Sequence, residues 1–322
     1  MITPRRIYRG LRSRFARLTR RRPATVAGAV RMVRRSGRLE EWLLLLQVLE
    51  PRLDSDSREL LRNHEFMSRS SAIQHFMDDL NNALTASGMH RSLTAASALV
   101  IAPAVIQLIV KHKTVLQCRD AHTEGGYYAD AEKSIDWQWQ TLIEPFIRSF
   151  DLSRTLELAP GHGRNSQKLA RTAKELYLVD VNATCIGACR KRFGDRWGGC
   201  RFHYLVNDGA SLAGIADNTA TFVYSFDSMV HFDKLVVRDY LAEFKRVLVP
   251  RGTGFIHHSN YGAIRPNSDW ATNPGNRSDT SATIVREFCS SIGLEVLDQR
   301  LHGIAEGRGL EALDCVTIFR RP

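Results

Sequence analysis

The chain reads as an α/β protein: a doubly wound seven-stranded sheet, mostly parallel with an antiparallel C-terminal strand, preceded by an all-helical extension. Three observations predict this. From Thr155 onward, short apolar runs alternate with helical stretches, the pattern of parallel strands joined by crossovers. The first run, Thr155-Leu-Glu-Leu-Ala-Pro-Gly-His-Gly-Arg164, breaks into a glycine turn, and the next, Glu175-Leu-Tyr-Leu-Val-Asp180, ends on a carboxylate. Residues 39–118, by contrast, show only helical spacing.

Taken in order, residues 1–38 form an arginine-rich, poorly ordered tail. Leu39 to Leu49 is an apolar helix stopped at Pro51, and Asp54-Ser-Asp-Ser57 caps a second one through about Met67. Ile73, Phe76, Met77, Leu80 and Leu84 place a third helix over Ser70 to Thr85. Ala95 to Val110 is the most hydrophobic stretch. Its 16 residues fall short of the roughly 20 that span a bilayer, so it reads as a buried helix kinked at Pro103. Gly125-Gly126 separates this extension, 39–124, from a sheet domain, 125–322. Strands are expected near 155–159, 175–180, 201–206, 219–226, 252–259, 294–300 and 314–320. The segment Asn260 to Asp279, rich in Asn, Pro, Gly and Ser, is long for a loop in a compact domain, which marks it as functional.

The net charge of +11 belongs to the tail. Thirteen arginines and no Lys, Asp or Glu occupy residues 1–38, and removing them leaves 32 basic residues against 34 acidic ones. Such a leader suits RNA, an anionic membrane surface or an acidic partner, and equally a solvated terminus. Ile7, Leu11, Phe15 and Leu18 recur at helical spacing, as in a basic helix lying on phospholipid; a transit peptide has the same composition. No secretory-type apolar run stands near the start. The six cysteines form no C-x-x-C pair, and Cys185 and Cys189 alone on one helical face are too few for a metal site. The expectation is a cytoplasmic protein with reduced cysteines, peripheral to the membrane if the tail binds there.

The glycine turn is not the dinucleotide G-x-G-x-x-G, whose third glycine would fall at Ser166. Glu157-x-Ala159-x-Gly161-x-Gly163 resembles instead the acidic-x-Gly-x-Gly-x-Gly loop of class I S-adenosylmethionine-dependent methyltransferases, with Ala159 in place of the first glycine. That departure is mild if the position lies at the strand end, away from ligand. The resemblance covers roughly residues 125–320. It includes Glu175 to Asp180, Arg201-Phe-His-Tyr-Leu-Val-Asn-Asp-Gly209, Thr221-Phe-Val-Tyr-Ser-Phe-Asp-Ser-Met-Val-His-Phe232, and Leu241-Ala-Glu-Phe-Lys-Arg-Val-Leu-Val-Pro-Arg-Gly252. It implies S-adenosyl-L-methionine as cofactor, Asp180 on the ribose, Asn207 and Asp208 near the adenine, Glu157 organising the loop, and Phe226 facing the transferred methyl group.

Physical chemistry gives these residues matching roles. Gly161 and Gly163 let backbone approach a ligand where a side chain would collide. Asp180 ends a buried strand, where a carboxylate needs a partner such as two ribose hydroxyls. For Asp208 and Asn207 a plain Asx turn competes with ligand binding. Tyr127, Tyr128, Trp137 and Trp139 either fold over the cofactor, whose sulfonium attracts aromatic faces, or pack beneath the sheet. The acceptor chemistry falls to histidines at the carboxyl ends of strands: His231 after the fourth, and His257 and His258 on the fifth. Alternation lets only one of the adjacent pair face the crevice, and His258, nearer the strand end, is expected there, with His257 pointing away. Asp227 orients an imidazole or ligates a metal; no complete metal set is evident.

Ser225-Phe-Asp-Ser228 stands where methyltransferases acting on nucleic-acid amino groups carry Asn/Asp-Pro-Pro-aromatic, which argues against that class. Histidines favour a hydroxyl acceptor. The runs Phe226 to Phe232 and His257-His-Ser-Asn260 resemble bacterial methyltransferases of sugar and surface-polysaccharide synthesis. A small-molecule or glycan O-methyltransferase is the reading, with an RNA- or protein-directed enzyme recruited through the tail as its alternative.

Overall fold

The computed structural model describes residues 25–36, 38–63, 89–120, 126–303 and 311–322. They divide into two compact units that meet at Ile109 and Val110. In the first, the described residues are helical. Val26–Ser36 packs against Leu39–Leu49 through Ala29, Val30 and Val33, so the poorly ordered tail expected over 1–38 does not extend through this helix. Residues 1–24 and the helix expected over 70–85 lie outside the described residues. Asp54 caps Ser55–Asn63 by accepting the Ser57 N–H at 2.8 Å.

The apolar stretch forms a helix of 26 residues, Ala95–Asp120, with Pro103 inside it. It is therefore longer than the 16 apolar residues suggested, and by length and composition it is able to cross a membrane. It is not uniformly buried: Val100 is 79% exposed. Its last turns belong to the second unit, where Lys111 pairs with Asp239 and Lys113 with Asp269.

The second unit is built on an eight-stranded sheet: β1 (Arg154–Leu158), β2 (Glu175–Asp180), β3 (Arg196–Trp197), β4 (Cys200–Val206), β5 (Ala220–Ser225), β6 (Leu248–Ser259), β7 (Glu295–His302) and β8 (Asp314–Arg320). Their order is β3-β4-β2-β1-β5-β6-β8-β7. All seven expected strands are present, and the short β3, hairpinned onto β4, is the eighth. The central pairs are parallel, while β8 runs antiparallel to both β6 and β7. Central strands are apolar on both faces. Phe222, Tyr224 and Phe255 join Leu176 and Leu178 beneath the helix Ala183–Phe193, whereas Val223 and Ile256 join Leu156 and Val179 beneath Lys234–Val247 and Ala282–Ile292.

The chain runs outward from β1 through β2 to β4, then returns to β5 on the other side of β1. The carboxyl ends of β1 and β5 thus diverge at a topological switch point, where such sheets leave a crevice. The chain leaves β1 through Ala159 at φ 57°, a left-handed conformation that costs a side-chain-bearing residue about 1–2 kcal/mol. Replacing the family's glycine here is therefore more than a mild departure, because the position requires glycine's freedom. Glycine's own entropy cost of about 0.5–1 kcal/mol offsets part of the gain. Ala159→Gly is expected to raise unfolding free energy by about 0.5–1 kcal/mol in a denaturant titration.

Candidate active site

At the switch point lies a cavity of about 320 Å³. The β1 loop supplies Ala159, Gly161, His162 and Arg164, the end of β2 supplies Asp180, and the loop after β5 supplies Phe226, Asp227, Ser228 and His231. The helix end 114–119, the segment from Tyr127 and the long loop at Trp270 and Asn276 complete the wall.

The cradle side is built around Asp180. It is 6% exposed; Oδ1 accepts the Asn182 N–H at 2.8 Å and Oδ2 the Gly161 N–H at 3.4 Å. Burial pushes its carboxyl up to about 6. Gly161 lines the cavity at φ 57°, and a Cβ there would come within 2.6 Å of the Tyr128 ring. Tyr128 stacks on His162 with ring centroids 3.8 Å apart, and its hydroxyl meets Cys185 Sγ at 3.1 Å. Tyr128, in the segment Tyr127–Glu132, therefore packs against the glycine loop.

Other expected residues stand behind the cradle. Gly163 is absent from the cavity wall: a Cβ there would meet Phe193 at 2.5 Å, so its smallness admits the helix Ala183–Phe193 rather than a ligand. Glu157 is buried beneath the loop, where Ser166 Oγ donates to it at 2.5 Å and burial pushes it up to about 7. Asn207 donates to Ser211 O and Tyr240 Oη, and Asp208 accepts the Ala210 and Ser211 N–H groups. Neither reaches the cavity, so the Asx turn accounts for Asp208, and Gly209 with Val181 forms the wall there. Trp137 is 61% exposed and Trp139 packs beside the core, and neither tryptophan lines the cavity.

On the acceptor side, His231 is the one expected histidine that lines the cavity. Its Nδ1 lies 2.7 Å from the Asn276 carbonyl oxygen. A carbonyl only accepts, so Nδ1 carries the proton and the lone pair of the neutral ring is on Nε2. The expected orientation of the β6 pair is reversed. His258 is fully buried, its Nδ1–H donating to Ser259 O and its Nε2 accepting from Thr317 Oγ1; burial lowers it to about 4. His257 faces the loop instead. Its Nδ1 accepts the Asp227 N–H at 3.1 Å, and its ring stacks on Phe226.

That bond places the proton of neutral His257 on Nε2, 3.5 Å from Asp314 Oδ2. His257, His302 and Asp314 lie close enough together to suggest a metal centre. Their chemistry does not fit one: His257 has no nitrogen lone pair to offer, and Arg277 grips both oxygens of Asp314 at 2.9 and 2.7 Å. Asp227, held at φ 61°, accepts from Arg164 at 2.6 Å. The carboxylate thus orients no imidazole by its side chain; its backbone is itself oriented by His257.

Sequence reasoning missed Arg164, Val115, Cys118, Asp233, Trp270 and Asn276, all of which line the cavity. Arg164 follows the glycine motif directly and was visible as a charge beside a ligand loop. The helix positions carry no local signal, being ordinary residues at a helix end.

Residues 155–252 match the family model described as a methyltransferase domain. No curated protein matches the chain. Among solved structures, the chain is similar to a protein of Pyrococcus horikoshii (17% identity, 63% of this chain and 94% of that one, TM-score 0.44). It is also similar to an S-adenosylmethionine-dependent methyltransferase of Leishmania major (12%, 66% and 82%, TM-score 0.48). A third is geranyl diphosphate C-methyltransferase of Streptomyces coelicolor, in complex with Mg²⁺, geranyl diphosphate and S-adenosyl-L-homocysteine (12%, 64% and 87%, TM-score 0.48). The family match over residues 155–252 covers the glycine loop, Asp180 and the loop after β5, and supports a methyltransferase with S-adenosylmethionine as its cofactor.

Proposed function

We propose that the protein is an S-adenosylmethionine-dependent O-methyltransferase acting on a hydroxyl of a sugar, glycan or other small molecule, with His231 as the base. The observation that carries the reading is the tautomer of His231, which puts a basic nitrogen on the cavity wall, whereas His162, the other histidine there, is stacked on Tyr128. The cavity fits the cofactor: a buried carboxylate with acceptor capacity at Asp180, a glycine loop whose backbone lines the wall at Gly161, and a volume suited to one small ligand.

Asp180 would hold the ribose hydroxyls, Gly161 and Ala159 would flank the methionine portion, and Val181 and Gly209 the base. When bound, the cofactor supplies an electrophilic methyl group. The chain's residues position the acceptor against it and take its proton. His231 accepts the hydroxyl proton on Nε2, becoming an imidazolium whose Nδ1–H remains bonded to Asn276 O. The aromatic wall of Phe226, Phe232 and Trp270 excludes water that would compete for the methyl group.

Asp180 gives this reading a pH signature. Its carboxyl is raised to about 6, so below that pH the free protein holds it protonated and loses an acceptor for the ribose. S-adenosylhomocysteine affinity is expected to fall as pH drops below about 6. Asp180→Asn should bind more weakly by about 1–3 kcal/mol and lose this pH dependence. Calorimetry across that range checks both.

The acceptor class is tested by mass spectrometry of glycans and small metabolites from cells with and without the gene. The expected change is loss of one methylene mass from a sugar; an unchanged glycan pool with undermethylated RNA or protein would favour the alternative substrates. With the acceptor in hand, His231→Gln should lower turnover by about 10²–10⁴ while S-adenosylhomocysteine affinity stays within about twofold. Near-wild-type turnover in that variant would remove the histidine base.

A further inference from the structure

The acceptor end of the cavity holds a second carboxylate. Asp233 is 4% exposed and lines the cavity with Cys118, His231, Phe232 and Trp270. It caps the helix Lys234–Val247, its Oδ1 accepting the Leu235 N–H at 2.8 Å. Among the described residues, the Leu235 N–H is the hydrogen-bond donor seen on this carboxylate, and no cation lies within ion-pair distance of it. The cations nearby are engaged elsewhere. Lys234 binds Asp279 at 2.9 Å and Asn267 at 2.8 Å, while Lys111 and Lys113 pair with Asp239 and Asp269. Asp227 differs in this respect, because Arg164 neutralises it.

An unpaired carboxylate is an expensive way to cap a helix, since Asn or Ser caps equally well without a charge to desolvate. Burial and the nearby charge of Asp279 push Asp233 up to about 7, with Lys234 and Lys111 acting in the opposite sense. The group therefore gains negative charge as pH rises through about 7, with Lys234 and Lys111 near it but each bonded to another carboxylate.

We propose that Asp233 makes the acceptor end of the cavity an anionic subsite, which receives a hydrogen-bond donor of the methyl acceptor, hydroxyl or ammonium, and repels acceptor groups bearing phosphate or carboxylate. The subsite deepens the methyltransferase reading and rests on it. His231 takes the proton of the reacting group, and Asp233 grips a neighbouring donor, so acceptors with two adjacent donors are held at two points.

S-adenosylhomocysteine and sinefungin separate the two ideas without knowledge of the acceptor. Sinefungin has an ammonium where the transferred methyl group would project, and S-adenosylhomocysteine is uncharged there. Calorimetry with both ligands on the full chain, wild type and Asp233→Asn, compares their affinities as pH is raised. The Asn variant keeps the cap. The wild-type preference for sinefungin should grow as pH rises through about 7, the point at which Asp233 loses its proton. The variant should lose about tenfold in sinefungin affinity and keep its S-adenosylhomocysteine affinity. Asp180 and His231 also face the cavity, but they are common to both proteins, so the difference between variants isolates Asp233. A sinefungin preference that is the same in both overturns the subsite. If the Asn variant fails to fold, Asp233→Ser, which retains a capping hydroxyl, serves for the same comparison. A wild type that binds neither ligand overturns the cofactor reading itself, which keeps the two failures apart.

Discussion

The ion pair between Arg164 and Asp227 is the interaction on which the site depends. β1 and β5 are hydrogen-bonded neighbours, and beyond each the chain turns through a left-handed residue that is not glycine, Ala159 and Asp227. Left alone, two strained turns side by side would relax apart. One guanidinium holds them: Arg164 of the first loop donates to Asp227 of the second at 2.6 Å, and also to Ala131 O of the segment Tyr127–Glu132 and to Gln138 Oε1 beyond it. The Arg164 side chain is only 12% exposed, so the attraction is screened far less than in a surface pair. Behind the loop, His257 receives the Asp227 N–H, and its Nε2 lies 3.5 Å from Asp314, which Arg277 binds. Side chain and backbone of Asp227 are thereby held from opposite directions, which explains how an αL aspartate persists at the centre of the cavity.

The strands were legible because a parallel strand covered on both faces must be apolar at nearly every position, and Glu175 to Asp180 and Ala220 to Ser225 are. The glycine loop and Asp180 were legible for a related reason: a close approach of backbone and a buried carboxylate are both costly enough to leave few alternatives. What the sequence left ambiguous shares one cause. Gly163 and Gly161 are equally small, but one is crowded by Phe193 and the other by Tyr128, and smallness does not name the neighbour. Asp208 satisfies two backbone N–H groups as well as it would an adenine. For His257 and His258, alternation correctly puts them on opposite faces, but which face the post-β5 loop folds over is decided by tertiary packing. Phe255 and His257 share the side on which Phe226 stacks, so His257 meets the loop.

The acceptor side is walled by a loop that is polar yet buried. Asn267, Asp269, Asn273, Arg277, Ser278, Asp279 and Thr280 are all buried, and Trp270 reaches back to Gln117 at 2.8 Å. Burying such residues is tolerable only when they find partners, and most of their polar groups do: Asp279 with Lys234, Arg277 with Asp314, Ser278 N–H with Val230 O, and Asn273 Nδ2 with Ser268 and Arg277, though Asn273 Oδ1 has none among the described residues. The loop is thus held in one arrangement by directional bonds, whereas an apolar wall of equal area would repack around differently shaped ligands. Its effect reaches His231, whose tautomer is set by a carbonyl of this same loop, Asn276. The tautomer of His231 therefore derives from this loop. A change anywhere along Asn260 to Ser281 that loosens the network should disturb that tautomer, even where the residue itself never faces the cavity.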